Sequence, residues 1–171
     1  SALPSNRVGS FLSVARDDAD KKARNLEPHS TLDTHNITLG VDYRLKRPWL
    51  VGIALGQTDS DIEYQQQGDI TSSKTDHVLL YSSWYRDSFS VDTTLAYAKG
   101  EFDTERQLPD GIAFGNTEHE MTYFSAVGSF DFQNEAWTYG PMASLEVLIG
   151  EIDAFTETGD SAWNAEFKAR D

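Results

Sequence analysis

Apolar and polar residues alternate along much of this chain, most clearly between His35 and Leu45. Odd positions there are apolar and even positions are small or polar: Ile37, Leu39, Val41, Tyr43 and Leu45 against Asn36, Thr38, Gly40, Asp42 and Arg44. Because successive side chains of a strand point to opposite faces, this period predicts a strand with one apolar and one polar face. A tight connection, Lys46-Arg47-Pro48, leads to a second such strand from Trp49 to Thr58.

The same pattern continues along the chain, with short turns alternating with longer polar segments. Further strands are predicted at 7–16, 75–85, 89–100, 118–132 and 137–153, with an eighth beginning in 161–170. Short turns are predicted at 86–88 and 134–136, and polar loops at 17–34, 59–73, 103–117 and 155–160. Strands with short turns at one end and long loops at the other are typical of an outer-membrane β-barrel. The sequence therefore predicts an all-β, antiparallel up-and-down barrel of about eight strands, as a single domain over residues 1–171.

Composition agrees with this fold and excludes several functions. Mean hydropathy is −0.50, and no stretch reaches the roughly 18 consecutive apolar residues of a membrane helix. Barrel strands need apolar side chains only at alternate positions, so their average hydropathy stays low. A net charge of −14 makes nucleic acid an unsuitable partner. The absence of cysteine excludes disulfides and thiolate metal sites.

Two sets of candidate functional residues follow from the predicted faces. Aromatic residues gather beside the short turns, where they would form a girdle at the membrane–water boundary: Tyr43, Trp49, Trp84, Tyr85, Phe89 and Trp137. Charged residues fall on the predicted lumen face: Asp42, Arg44, Asp92 and Glu146. Charges in a narrow lumen must pair or reach water, so we expect Arg44 to pair with Asp92 or Glu146.

No catalytic, cofactor or metal site is predicted. The histidines are scattered, without a metal-ligand spacing, and phosphate-binding glycine loops and nucleophile elbows are absent.

Several ordered stretches resemble the translocator β-domain of autotransporters, the type V secretion proteins. They are Leu39-Gly40-Val41-Asp42-Tyr43-Arg44, Val51-Gly52-Ile53-Ala54-Leu55-Gly56, Leu80-Tyr81-Ser82-Ser83-Trp84-Tyr85, Phe102-Asp103-Thr104-Glu105-Arg106 and Tyr139-Gly140-Pro141. The resemblance implies a twelve-stranded barrel in the cell outer membrane that helps export an N-terminal passenger to the cell surface. We expect this chain to be the N-terminal and middle portion of such a barrel, or a shortened relative, incomplete at its C-terminus and without a passenger.

The expected partners follow from that resemblance. They are outer-membrane lipids, the barrel assembly machinery and a passenger domain outside this chain. Open strand edges, whose backbone groups need partners in lipid, would also favour self-association.

Two other functions fit the alternation. The first is a soluble eight-stranded barrel that binds a small ligand, as lipocalins do, with its apolar face turned inward. The second is an outer-membrane barrel enzyme, for which His119 near Ser125 is the one candidate pair. Glycines and charges share one face while aromatics flank the short turns, which favours the membrane barrel with its apolar face outward.

Overall fold

The computed structural model describes residues 7–22, 29–45, 48–64, 68–134, 136–159 and 163–170, and these residues form strands and their connections. Six long strands come first: β1 Val8–Lys21, β2 Ser30–Arg44, β3 Trp49–Tyr64, β4 Asp69–Arg86, β5 Phe89–Leu108 and β6 Gly111–Phe130. Shorter strands follow: β7 Phe132–Asn134, β8 Trp137–Tyr139, β9 Met142–Ile152, β10 Phe155–Thr156, β11 Thr158–Gly159 and β12 Glu166–Phe167. Among the described residues no helix is long and apolar enough to cross a membrane.

The sheet is an antiparallel meander. Strands β1 to β6 pair in chain order, and β9 and β11 both pair with β6, which gives an eight-stranded sheet. The prediction of an antiparallel up-and-down all-β fold is confirmed. The barrel is not closed within the described residues, because β1 has no strand on its outer side and only short β-structure follows β9.

The predicted long loops are wrong, because the strands continue through most of them. β1 runs to Lys21 and β2 begins at Ser30, within the loop predicted at 17–34. The segments 59–73 and 103–117 likewise belong largely to strands, and Leu108 and Gly111 close a tight hairpin over Pro109-Asp110. Residues 17–21, 59–64 and 103–108 are rich in charged residues and lack the outward apolar stripe of the predicted strands, so the sequence favours a loop there.

Polar cross-strand contacts replace apolar packing in these extensions. The hydroxyl groups of Thr34 and Ser60 lie 3.1 Å apart across β2 and β3. Asn116 donates from its side-chain amide to Asp103 Oδ1 across β5 and β6 at 2.8 Å. Directly opposed polar pairs each contribute about 0.2–1 kcal/mol to a sheet. Polar pairs of this kind connect the strands beyond the end of the outward apolar stripe.

The strand predicted over 137–153 is interrupted. β8 ends at Tyr139 and β9 begins at Met142, so Gly140-Pro141 separates the two strands. Strand β8 pairs with β7 instead of β6, in a small hairpin around the turn predicted at 134–136. Proline lacks the N–H that a continuous ladder requires, which accounts for a break here.

The chain beyond β9 turns back on itself. β10 pairs with β12, joining Phe155 to Phe167 and Thr156 to Glu166, and Ile152 forms an isolated bridge with Arg170. The loop predicted at 155–160 therefore includes two short strands. The eighth strand predicted within 161–170 is represented by β12 and the Arg170 bridge.

The two faces of the sheet differ in burial and chemistry. Phe11 of β1 and Tyr81 of β4 have ring centroids 6.4 Å apart, although three strand spacings would separate them by about 14 Å along a flat sheet. Each ring leans one strand toward the other, so this distance alone does not require curvature. Burial distinguishes the faces: on β2 the side chains at 36, 38, 40 and 42 are buried or half-buried, whereas those at 37, 39, 41 and 43 are exposed. The more buried face, which carries Phe11 and Tyr81, is the inner one. The opposite face carries exposed apolar residues, including Leu39 at 60%, Leu55 at 61% and Leu80 at 49% exposure.

This arrangement sets the facing of β4, in which both alternating sets of residues are apolar: Val78, Leu80 and Trp84 on one face, and Leu79, Tyr81 and Tyr85 on the other. Leu80 pairs with Ile53 and Leu95 on the outer face, while Tyr81 pairs with Gly52 on the inner face. The apolar stripes face outward as expected, and the alternative of a soluble barrel with an apolar interior is not favoured.

One outward row passes from apolar to charged residues as it crosses the sheet. In strand order its members are Val14, Ile37, Gln57, Asp76, Lys99, Glu120 and Glu151. The row two residues nearer the short turns is still apolar in β3 to β5, with Leu55, Val78 and Tyr97. The edge of the apolar band on β3 to β5 therefore lies between these two rows.

Candidate functional site

The inner face combines glycine with large side chains from neighbouring strands. Phe11 lies over Gly40, and Tyr81 lies over Gly52, so closely that a methyl group on either glycine would overlap the ring. Ala54, only 3% exposed, completes this layer. Small residues thus leave room for aromatic rings from the neighbouring strands.

A second layer nearer the far end is built around two histidines. His77 fits against Gly56 and His119 against Gly100. Nε2 of His77 lies 3.3 Å from Thr38 Oγ1, and Nε2 of His119 lies 3.1 Å from Thr75 Oγ1.

His119 is the most enclosed large polar residue of this layer. It is 4% exposed, and its ring lies 4.3 Å from that of Phe102, measured between centroids. Its Nδ1 is buried and has no hydrogen-bond partner. Ser125 stands six residues away on the same strand, which is about 20 Å. The two side chains therefore cannot form a catalytic pair, and the barrel-enzyme hypothesis loses its candidate site.

The four charged residues predicted for the lumen lie at inner-face positions of the register. Asp42 pairs with Gly52 and Arg44 with Leu50, whereas Glu146 pairs with Ser125. Asp92 accepts a hydrogen bond from Ser83 Oγ at 2.5 Å. Within the described residues Arg44 forms no ion pair with Asp92 or Glu146, because two and four strands, respectively, lie between them around the wall.

The predicted girdle residues lie at the short-turn rim. Trp84 contacts Trp49 at 6.3 Å and Phe89 at 5.5 Å between ring centroids. Tyr43 is exposed at 40% on the outer face, and Trp137 at 77% on the β7–β8 hairpin. Tyr85 alternates with Trp84 along β4 and pairs with Ser90, which places it on the inner face of the rim.

A buried ion pair secures the far end of the inner face. Arg106 donates through Nε to Glu157 Oε1 at 3.0 Å and through a second nitrogen to Oε2. The Glu157 side chain is 3% exposed and that of Arg106 is 35% exposed. The backbone N–H of Ala165 also donates to Glu157, at 2.8 Å. The hydrogen bonds from Arg106 lower the pKa of Glu157, and those to Glu157 raise the pKa of Arg106.

Aromatic packing supports that pair. Phe155 lies over Gly115, where a methyl group would meet its ring, and stacks on Phe167 at 4.6 Å between centroids. Together these contacts hold the segment after β9 against the inner faces of β5 and β6.

Sequence reasoning missed Phe11, Tyr81, Arg106 and Glu157 as contributors to this wall. Phe11 and Tyr81 could have been found once the register was known, because each faces a glycine on a neighbouring strand. Arg106 and Glu157 are separated by 51 residues, and no local pattern links them.

The family model for the autotransporter beta-domain matches residues 10–171. The chain belongs to that family. Autotransporter beta-domains are outer-membrane translocator units, and the family implies an attached passenger domain. The resemblance seen in the sequence is thus confirmed, together with the cell outer membrane as the location.

Solved autotransporter structures share this fold. The translocator domain of autotransporter NalP from Neisseria meningitidis superposes with a TM-score of 0.78 at 13% identity, covering 95% of this chain and 56% of that one. The beta domain of the Bordetella autotransporter BrkA gives 0.69 at 17% identity, covering 96% and 66%.

The curated sequence relatives match over a smaller part of their own length. Esterase EstA of Pseudomonas aeruginosa is 25% identical over 142 residues, which is 75% of this chain and 21% of that protein. Esterase EstA of Pseudomonas putida matches to the same extent. The chain thus spans about a fifth of the length of these curated relatives.

Proposed function

We propose that this chain forms most of the wall of a translocator barrel, which anchors a passenger in the outer membrane and helps export it to the cell surface. The difference between the two faces of the sheet carries this proposal. Phe11 and Tyr81 meet across the glycine-lined face, while residues such as Leu80 lie exposed on the other face. A wall that is apolar outside and small-residue or polar inside encloses a path for polypeptide.

The partners follow from the two faces. The outer face contacts outer-membrane lipid, and the inner face encloses the exported segment. Assembly into the membrane uses the barrel assembly machinery. The open edge of β1 needs pairing in lipid, from further strands or from a second copy, because each unsatisfied backbone group costs several kcal/mol there.

We propose no enzymatic activity for this chain, which we treat as a single barrel domain that contains no passenger. Among the described residues no group of three or more potential ligands could hold a metal. The match to Esterase EstA covers about a fifth of that protein, and an esterase name by itself does not assign a reaction to this chain.

The test compares adjacent positions on opposite faces of β5. Ala96 faces inward between Leu79 and Tyr123, whereas Leu95 faces outward between Leu80 and Phe124. The full-length protein carrying this chain is expressed with an epitope in its N-terminal passenger. Surface display is measured as epitope removed by protease from intact cells.

We expect Ala96→Trp to lower surface display by about tenfold, because an indole of that size narrows the interior. Leu95→Trp is the matched control and should display as well as the unmodified protein. Heat-modifiable gel mobility reports whether each variant assembled. Equal display by two assembled variants would contradict a path along this inner face.

A further inference from the structure

The β7–β8 hairpin extends further from the barrel wall than the neighbouring short turn at Asp87-Ser88 does. The β5–β6 ladder ends with Phe89 opposite Phe130, and the N–H of Asp131 then donates to the carbonyl oxygen of Ser88. Beyond this point the β7–β8 hairpin adds three paired residues to each strand, or about 10 Å. This hairpin therefore projects past the neighbouring turn at Asp87-Ser88.

The projecting hairpin has two unlike faces. Phe132 pairs with Tyr139, and Trp137 lies two residues from Tyr139 along the same strand, so these three rings share one face. Gln133 pairs with Thr138 on the opposite face. Trp137 and Tyr139 are 77% and 61% exposed, so the hairpin presents an uncovered aromatic surface.

The aromatic face continues the lipid-facing side of the barrel wall. Phe130 faces outward on β6, and its ring lies 4.8 Å from that of Phe132. Phe132 in turn stacks on Tyr139 at 5.7 Å. The N–H of Phe130 donates to the carbonyl oxygen of Pro141 at 3.1 Å, which ties the base of the hairpin to the wall.

We infer that the β7–β8 hairpin is a lipid-binding foot, whose aromatic face lies in the headgroup region of the periplasmic leaflet. Short turns of outer-membrane barrels face the periplasm, and tryptophan and tyrosine concentrate where hydrocarbon meets water. Asp131, exposed at the base of the hairpin, favours zwitterionic over anionic headgroups. This inference rests on the membrane location of the proposed translocator barrel.

Adjacent residues on the two faces of β8 allow a direct test. The chain has no cysteine, so Tyr139→Cys and Thr138→Cys each give one site for a nitroxide label. The whole chain is reconstituted in phosphatidylcholine vesicles. Collisions of the label with oxygen, which dissolves in lipid, and with a water-soluble nickel chelate are then measured.

We expect the oxygen-to-nickel collision ratio at position 139 to be about threefold higher than at 138. Leu80→Cys, in the outer wall, serves as the lipid reference, and Trp163→Cys, 70% exposed beside Arg106 at the far end, serves as the water reference. Repeating the measurement with part of the lipid replaced by phosphatidylglycerol should reduce the difference between 139 and 138.

Two results would overturn the inference. Water-like ratios at both 138 and 139, with a lipid-like ratio at 80, would place the hairpin in solution and leave the proposed barrel intact. Protection of 139 from both reagents would mean that protein covers the aromatic face, as in an association of two copies. A water-like ratio at 80 would instead contradict the membrane wall itself, and the foot with it.

Discussion

The long strands run through two halves of the molecule, one near the short turns and one at the far end. Different side-chain contacts stabilise each half. In the half near the short turns, apolar side chains such as Leu80 cover the outside and rings such as Tyr81 lie over glycines inside. In the far half, the outer face is largely polar, hydrogen bonds such as Asn36 to Thr58 connect the strands, and apolar side chains such as Leu32 face inward. The backbone pairing is continuous, whereas the side chains change with the solvent around them.

The strands of this protein are thus longer than the thickness of the membrane requires. β5 has 20 residues, about twice the 9–11 that cross a bilayer. The far half of each long hairpin, beyond the apolar band, lies in water and needs no apolar outer face. Substitutions that place a charge in the apolar half, or remove a polar contact from the far half, therefore test this difference most directly.

The largest effect is expected for a charge in the apolar half. Leu80→Arg places a guanidinium on the outer face in the middle of the apolar band. It should lower the free energy of unfolding by about 3 kcal/mol in phospholipid vesicles. Ser72→Arg is the control on the same strand and face, in the far half between Asp61 and Asp103. It should change stability by no more than about 0.5 kcal/mol. Equal effects in urea titrations would remove the distinction between the halves.

A smaller effect is expected from breaking the ion pair of the far half. Arg106→Ala leaves the enclosed carboxylate of Glu157 with one backbone donor, Ala165, and should locally destabilise the segment by about 2 kcal/mol. Hydrogen exchange at the Ala165 amide, next to the pair, measures this. Arg16→Ala, which removes an exposed pair with Asp33, should leave that exchange rate unchanged.

The pH dependence of the same contact has a definite sign. The pKa of Glu157 is lowered from its usual 4.5 by the hydrogen bonds from Arg106. The stabilisation is therefore complete above that usual value and is lost as the pH falls through the lower pKa of the folded state. Protection of Ala165 should accordingly persist at pH 5 and decline on further acidification. A decline beginning near neutral pH would point to another group.

The smallest effect is expected within the inner wall of the apolar half. Gly52→Ala would force the Tyr81 ring away from the wall, at about 1–2 kcal/mol, as in an overpacked core. Gly150→Ala is the matched control on the inner face, because a methyl group there would make only ordinary contacts, the nearest with the Met121 side chain at 3.5 Å. Its unfolding free energy should stay within about 0.5 kcal/mol of the unmodified chain. Similar losses for both variants would show that glycine flexibility matters more than the fit of Tyr81.

The sequence predicted the apolar half well and the far half poorly. Ile37 to Tyr43 alternate cleanly because lipid faces one side of β2 and the interior faces the other, so the strand and its outer face could be predicted. Thr31 to Asp33 continue the same strand, but there the outward residues are polar and Leu32 faces inward, so the outward apolar stripe ends. The predicted loops were wrong for this physical reason.

Long-range contacts were beyond sequence reasoning for a different reason. The meeting of Phe11 with Tyr81 depends on the register that sets each ring over a glycine of the neighbouring strand, and that of Arg106 with Glu157 on how the chain returns after β9. Neither depends on local residue pattern. The pairing expected for Arg44 did not form because its candidate partners lie on strands distant around the wall.

The outward row that begins at Val14 and ends at Glu151 has a geometric consequence. Its members are hydrogen-bonded neighbours, yet the first two, Val14 and Ile37, are apolar and the last four are charged. A bilayer surface is flat, so the row must cross it obliquely, and the strands must incline to the membrane normal. Inclination of this kind is what gives a closed cylinder of strands its shear. The change from apolar to charged residues along this one row therefore indicates the tilt of the strands in the closed barrel.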